Sequence, residues 1–144
     1  IFKVYKIYKI FKKYGVKMII SVDFDNTIVN SEFPKIINIL ANVKKTMKKI
    51  KENGHKILIY TCRENEYKQD MIKFLVKKQI PFDSVNTHIV LHFLGETLEQ
   101  GLDRKKIYAD YYIDDRNLGI KKDKDGNVDW FYVEKELIKE GIIK

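Results

Sequence analysis

The sequence predicts an α/β fold with a mainly parallel sheet in a single domain. Three short apolar runs, beginning at Ile19, His55 and Ile107, alternate with stretches whose apolar residues recur at helical spacing. Strands that alternate with helices pair in parallel through right-handed crossovers. The chain of 144 residues is long enough to bury a hydrophobic core.

The first run, MIISVDFDNTIVN at residues 18–30, contains the densest group of candidate site residues. After an apolar start that predicts a buried strand, it presents two carboxylates, an amide and a hydroxyl: Asp23, Asp25, Asn26 and Thr27. Carboxylates on alternate residues of a strand point to opposite faces, so these two converge on one ligand only if the chain turns at once. The amide and hydroxyl residues suit that turn. An ordinary Asp/Asn turn at the strand end is the competing interpretation.

One amphipathic helix is predicted between the first two runs. Ser31 can cap it, Pro34 suits its first turn, and Asn53–Gly54 ends it. The apolar residues at helical spacing are Phe33, Ile36, Ile37, Leu40, Val43, Met47 and Ile50.

The second run, His55–Tyr60, leads into Thr61, Cys62 and Arg63. A second helix is predicted over Asn65–Lys78. It ends there because Pro81, which follows Ile80, cannot continue a helix. Its buried side is expected to contain Tyr67, Met71, Phe74 and Leu75.

The middle of the chain has a weaker pattern. A short edge strand is expected within Ser84–Leu91, and Gly95–Gly101 resembles a loop or a helical turn. His88 and His92 are four residues apart and could share a metal ion on a helix, but a third ligand is not evident. We therefore favour ordinary surface or loop histidines.

The third run, Ile107–Ile113, ends in Asp114 and Asp115. A charged loop is predicted over Lys121–Asp129, followed by a closing helix over Trp130–Lys139. The residues of this helix expected to face the core are Phe131, Leu137 and Ile138.

The net charge of +8 is concentrated at the N-terminus. Residues 1–17 contain six lysines and no acid, so subtracting these six charges leaves +2 for the remaining residues. We predict a basic extension at 1–17 and a single domain at 18–144, and we hypothesise that Met18 is the natural start. A basic amphipathic segment that binds a membrane or nucleic acid is the alternative. Nucleic-acid binding has no support outside this extension.

Cysteine content and hydropathy favour a cytoplasmic protein without a membrane partner. Cys62 is the only cysteine, so no intramolecular disulfide can form, which fits a reducing compartment. The sequence contains neither an apolar run as long as a membrane span nor a signal-peptide pattern.

The polar ends of the three predicted strands should share one edge of a parallel sheet. The groups involved are Asp23, Asp25, Thr61, Asp114 and Asp115, and Lys106 precedes the last strand. Crowded carboxylates repel one another, so we expect a divalent cation between them. An all-oxygen set of ligands favours Mg²⁺.

With DFDNT in the first run, TCR after the second, a lysine and then YYIDDRN, residues 18–144 resemble the haloacid dehalogenase-like (HAD) phosphohydrolases. The resemblance implies a Rossmann-like three-layer sandwich and a Mg²⁺-dependent phosphatase that forms an aspartyl-phosphate. The segments between the motifs are short, so we expect no sizeable cap domain. Neither the class of phosphorylated substrate nor the oligomeric state follows from the sequence.

The resemblance also implies the catalytic roles. Asp23 would attack phosphorus, while Asp25 would protonate the leaving oxygen and then activate water. Thr61 would bind a phosphoryl oxygen, and Lys106 would balance the charge on the phosphoryl group. Lys105 is the alternative lysine.

Mg²⁺ would be held by Asp23, by Asp25 through its backbone carbonyl, and by Asp114, with Asp115 as a further ligand or a hydrogen-bond acceptor. The residues expected to contact the substrate are Asn26, Thr61 and Arg63. Both Arg63 and Arg116 are equally compatible with exposed structural roles.

Other functions stay open. A receiver domain of two-component signalling uses similar residues on a parallel sheet, although in a different order. A non-catalytic domain would bind a phosphorylated partner without hydrolysing it, although it would not need both Asp23 and Asp25. A cysteine phosphatase is excluded because Lys68, and not arginine, lies six residues after Cys62.

Overall fold

The computed structural model describes residues 9, 11–13, 15–89 and 106–144. In chain order its elements are β1 (Ile19–Val22), β2 (Val29–Glu32), β3 (Lys35–Ile39), α1 (Val43–Glu52), β4 (Lys56–Ile59), α2 (Asn65–Lys77), β5 (Ser84–Val85), β6 (Tyr111–Ile113) and α3 (Trp130–Lys139).

Four strands form a parallel sheet in the order β5-β4-β1-β6, which confirms the predicted α/β class. The strand β1 is fully buried at the centre. Its last residue, Val22, pairs with Ile59 of β4 and with Ile113 of β6, so these three strands end level with one another. The residues that follow the three strands therefore emerge at one edge of the sheet.

The predicted first helix is wrong over about its first half. Residues 29–39 form an antiparallel hairpin, in which Val29 pairs with Ile39 and Ser31 pairs with Ile36. The helix α1 begins only at Val43 and ends at Asn53, as predicted. The apolar residues between 33 and 40 recur at helical spacing although they form a hairpin. Over so short a stretch, apolar spacing does not distinguish a helix from a half-buried hairpin.

The main hydrophobic core lies on one side of the sheet. It joins Ile20 and Val22 of β1 to all three helices, through Met47, Ile50, Met71, Leu75, Trp130, Val133 and Leu137. A smaller cluster that includes Ile19 and Leu58 lies on the other side, and Phe11 packs against it. Alternate residues of β1 thus face different clusters, as the pleat of a strand requires. The three-layer sandwich stays a prediction.

Several side chains differ from the expected pattern. Tyr67, Phe131 and Ile138 were expected in the core, but they are exposed. In α3 the buried stripe begins at Trp130, whose indole Nε1 donates a hydrogen bond to the Thr27 carbonyl oxygen (2.5 Å). This anchor turns the helix so that Val133 and Leu137 face inward, three and seven residues later.

The remaining predicted elements are partly confirmed. The edge strand is β5, and the third strand is shorter than predicted, because β6 contains only Tyr111–Ile113. The charged loop is closed by a bridge between Lys122 and Val128. The prediction for Gly95–Gly101 lies outside the described residues. Of the helices that are described, none combines the length and apolar character needed to cross a membrane.

Candidate active site

The strand register places Asp23 beside Asp114. Each follows the last residue of its strand, and the Asp23 backbone N–H donates to the Ile113 carbonyl oxygen at 2.9 Å. The sequence predicted this meeting because the carboxyl ends of parallel strands share one edge. Their contact through the β1–β6 pairing also requires these two strands to be neighbours, which the observed strand order supplies.

A tight turn after β1 brings a hydroxyl between the Asp23 carboxylate and the Asp115 backbone. The Phe24 carbonyl oxygen accepts a hydrogen bond from Ile28 (2.9 Å), and Asn26 has a left-handed backbone, with φ of 56°. Within this turn the Thr27 Oγ1 donates to Asp23 Oδ2 (3.1 Å) and accepts from the Asp115 backbone N–H (3.0 Å). Sequence reasoning assigned this threonine to the turn alone and missed that it links the two acidic motifs.

Three carboxylates converge at this edge of the sheet. Oxygens of Asp23, Asp114 and Asp115 lie within 4.8 Å of one another. Burial, and then the neighbouring Asp114 carboxylate, raises the pKa of Asp23 from 3.8 to about 7. Burial and the same neighbour also raise the pKa of Asp115. Negative charge is therefore poorly compensated here, and the group fits the oxygen ligands that Mg²⁺ prefers.

A cavity of about 430 Å³ opens beside Asp23 and Asp114, and Lys106 lines it. Further lining comes from Tyr60, Tyr111, Tyr112, Asn117, Ser21, Asp110 and Ile113. The Lys106 ammonium lies over the Tyr112 ring, 4.4 Å from its centroid. The structure thus places Lys106 on the same cavity as the predicted nucleophile. Lys105, the alternative lysine, lies outside the described residues.

Asp25 is not part of this carboxylate cluster among the described residues, and its side chain bonds other groups. Its two oxygens accept hydrogen bonds from Arg63 Nε (2.9 Å) and Arg63 Nη2 (2.6 Å), and Ser31 Oγ donates to the same carboxylate at 2.7 Å. The predicted metal ligand at this position was the backbone carbonyl of Asp25, and that prediction does not require its carboxylate to join the cluster. The structure brings together three of the four predicted acidic side chains.

Arg63 is 2% exposed, so the alternative of an exposed structural arginine is wrong for this residue. Its guanidinium lies between the rings of Phe24 and Phe33, at 5.0 and 5.2 Å from their centroids. Arg116 is exposed and donates its backbone N–H to Asp114 Oδ1 (2.8 Å). The two arginines therefore have different environments, although each follows the polar residues at the end of a strand.

Thr61 is buried and held by an asparagine from the β5 loop. The Asn86 side chain accepts from the Thr61 N–H and donates to the Thr61 carbonyl oxygen, both at 2.8 Å. The Thr61 hydroxyl oxygen accepts from the Arg63 backbone N–H (3.1 Å), which leaves its own hydrogen to donate to a ligand. Sequence reasoning missed Asn86, because its partner lies 25 residues earlier in the chain.

The structure gives less support to the predicted substrate contacts, and it describes one of the two histidines, which were expected to be ordinary surface or loop residues. Asn26, Thr61 and Arg63 are not among the residues that line the cavity within the described part of the chain. His88 is 6% exposed, so it is a buried loop residue and not a surface histidine. His92 lies outside the described residues.

A solved structure from Bacteroides thetaiotaomicron, described as a conserved protein, is similar to this chain. The two share 32% sequence identity with a TM-score of 0.67, over 86% of this chain and 91% of that chain. The two proteins belong to one family. No family model matches the chain, and no curated protein matches it. This family relationship supports the fold.

In this member of the family, the site combines carboxylates, a cation and a nearby hydroxyl. A partly buried carboxylate, Asp23, faces a cavity, and two further carboxylates adjoin it. A cation, Lys106, lies on the same cavity, and a hydroxyl, Thr61, emerges at the end of the neighbouring strand β4. Such a set can bind a divalent cation together with an anionic ligand.

Proposed function

We propose that this protein is a Mg²⁺-dependent phosphohydrolase that acts through an aspartyl-phosphate on Asp23. The observation that carries the proposal is the meeting of Asp23, Asp114 and Asp115 at the ends of β1 and β6, where the pKa of Asp23 is raised to about 7. Three carboxylates in such a site favour binding of a cation, and a cation would attract a phosphate group.

The Asp23 carboxylate would attack phosphorus, so that the phosphorus–oxygen bond to the leaving group breaks with its electron pair on the leaving oxygen. The Thr61 hydroxyl and the Lys106 ammonium would bind the phosphoryl oxygens. Water would then attack the phosphorylated Asp23, with Asp25 accepting its proton, and release inorganic phosphate. Mg²⁺ held by Asp23, Asp114 and Asp115 would offset the negative charge that builds up between these groups.

The test is hydrolysis of p-nitrophenyl phosphate by the full chain with Mg²⁺, with EDTA, and after Asp23→Asn. We expect turnover that requires Mg²⁺ and falls by at least about 10³-fold in the variant, since the nucleophile is lost. Asp125→Asn is the matched control, because Asp125 is exposed on the charged loop and should leave turnover unchanged.

Three results would contradict the proposal. Turnover that persists in Asp23→Asn would exclude this nucleophile. A wild-type protein that accumulates a stable phosphoryl group on Asp23 without turnover would favour the receiver-like alternative, and intact mass would reveal the added group. A protein that binds phosphate without either reaction would fit the non-catalytic domain.

A further inference from the structure

Arg63 is a buried cation whose side-chain contacts reach two other segments of the chain. Its side chain is 1% exposed, and it donates to Asp25 after β1 and to the Pro34 carbonyl oxygen (3.0 Å) at the tip of the β2–β3 hairpin. Burying a guanidinium is unfavourable unless its donors are paired. Arg63 meets this requirement with two parallel bonds to one carboxylate.

The geometry of this pair fixes the orientation of the Asp25 side chain. A guanidinium presents a rigid planar fork that matches both oxygens of a carboxylate, so the pair resists rotation about the aspartate side-chain bonds. The Ser31 hydroxyl donates the third hydrogen bond to this carboxylate, at Oδ1. The fork itself is held between the Phe24 and Phe33 rings. These contacts leave the Asp25 side chain 26% exposed, so water can reach part of it.

We infer that Arg63 is a positioning residue: it holds the Asp25 carboxylate in the orientation that accepts a proton from the hydrolytic water. This inference rests on the proposed phosphohydrolase function. It gives Arg63 a positioning role in place of the substrate contact that the sequence predicted. In the step concerned, the water oxygen forms a bond to phosphorus, the bond between phosphorus and Asp23 breaks with its electrons returning to the carboxylate, and the water proton moves to Asp25. Arg63 acts through its bonds to the Asp25 carboxylate and not on the phosphorus or the water.

The test separates the two half-reactions with p-nitrophenyl phosphate, whose leaving group departs without a proton. In Arg63→Lys the cation remains and the planar fork is lost. We expect kcat to fall at least about tenfold while kcat/KM stays within about twofold, because only the second step is slowed. The slow second step should also produce a stoichiometric burst of nitrophenolate and a phosphorylated enzyme detectable by intact mass.

Ser31→Ala provides a second variant that does not disturb the buried charge. It removes one hydrogen bond to Asp25, so we expect the same pattern with a decrease in kcat of about threefold. Ser84→Ala is the matched control, because the Ser84 hydroxyl donates to the Thr87 carbonyl oxygen (2.9 Å) and not to Asp25. It should leave kcat unchanged.

Equal decreases in kcat and kcat/KM without a burst, in both variants, would overturn the inference and leave the phosphohydrolase proposal intact. Unchanged kinetics in both variants would overturn it as well. Absence of turnover in the wild-type protein would instead overturn the proposed function, and the role of Arg63 with it.

Discussion

Asp23 and Asp25 are separated by one residue, yet their surroundings carry opposite charge. Asp23 is partly buried beside two other carboxylates, and its pKa is raised to about 7. Asp25 is bound on both oxygens by the guanidinium of Arg63 and on one by the Ser31 hydroxyl. Alternate side chains of an extended segment diverge, so the same residue type meets an acidic cluster on one side and a buried cation on the other. Under the proposed function, Asp23 would bind the cation and Asp25 would accept the proton.

The most direct test of this difference in surroundings is to make the same substitution at both positions. Asp25→Asn leaves the buried Arg63 without its counter-charge, and we expect it to lower the free energy of unfolding by about 3 kcal/mol at pH 8. Asp23→Asn removes a repelled charge and should stabilise the metal-free protein. Urea unfolding in EDTA measures both, with Asp125→Asn as the control. Effects of the same sign would contradict the assigned environments.

The raised pKa of Asp23 also predicts how the stability of the protein changes with pH. Since its folded pKa is about 7 and its unfolded value is near 3.8, the unfolded chain releases this proton first as pH rises. Stability is therefore lost between about pH 4 and pH 7. The full interval corresponds to about 4 kcal/mol, and we expect roughly half because the site is open to the cavity.

The measurement is the difference in unfolding free energy between wild type and Asp23→Asn at pH 4.5 and pH 8 in EDTA. We expect the wild type to lose about 2 kcal/mol relative to the variant at the higher pH. Saturating Mg²⁺ should restore much of this loss in the wild type alone. A difference that does not change with pH would contradict the raised pKa.

Glu134 provides a third carboxylate with the opposite behaviour and a smaller expected effect. Hydrogen bonds from Lys49 and Asn42, each 2.7 Å, lower its pKa from 4.5 to about 2 and join α3 to α1 and its N-cap residue. Its contribution to stability is present above about pH 4.5 and is lost as pH falls toward 2. Glu134→Gln should cost about 1 kcal/mol at pH 7 and almost nothing at pH 2.

Thermal unfolding at the two pH values tests this, with Glu136→Gln as the control on the same helix. Within the described part of the chain, the Glu136 carboxylate has one ion pair, a long contact of 3.8 Å with the exposed Lys139, so its substitution should have little effect at either pH. Equal effects of the two substitutions at pH 7 would show that the Glu134 contacts contribute nothing beyond surface charge.

The fold was predictable where local patterns and global packing agree. The closing helix has the predicted bounds, Trp130–Lys139, and α2 ends one residue earlier than predicted. Both have apolar residues at a sustained helical period. The hairpin at 29–39 was not predictable, because its stability comes from pairs such as Val29 with Ile39, which local spacing does not reveal. The same limit applies to the buried stripe of α3, which depends on the indole of Trp130 reaching Thr27.

The sequence by itself determined the acidic strand ends and a parallel sheet with these ends at one edge. Strand periodicity and the alternation of strands with helices along the chain are sufficient for that conclusion. The tertiary structure decided that β1 and β6 are neighbours, which brings Asp23 to Asp114. Only the tertiary structure decided the partners of the neighbouring groups. Arg63 reaches Asp25 across 38 residues, and the Thr27 hydroxyl meets the Asp115 backbone across 88. Such pairs depend on the turn after β1 and on the level ends of three strands, so the geometry of the whole sheet is required to form them.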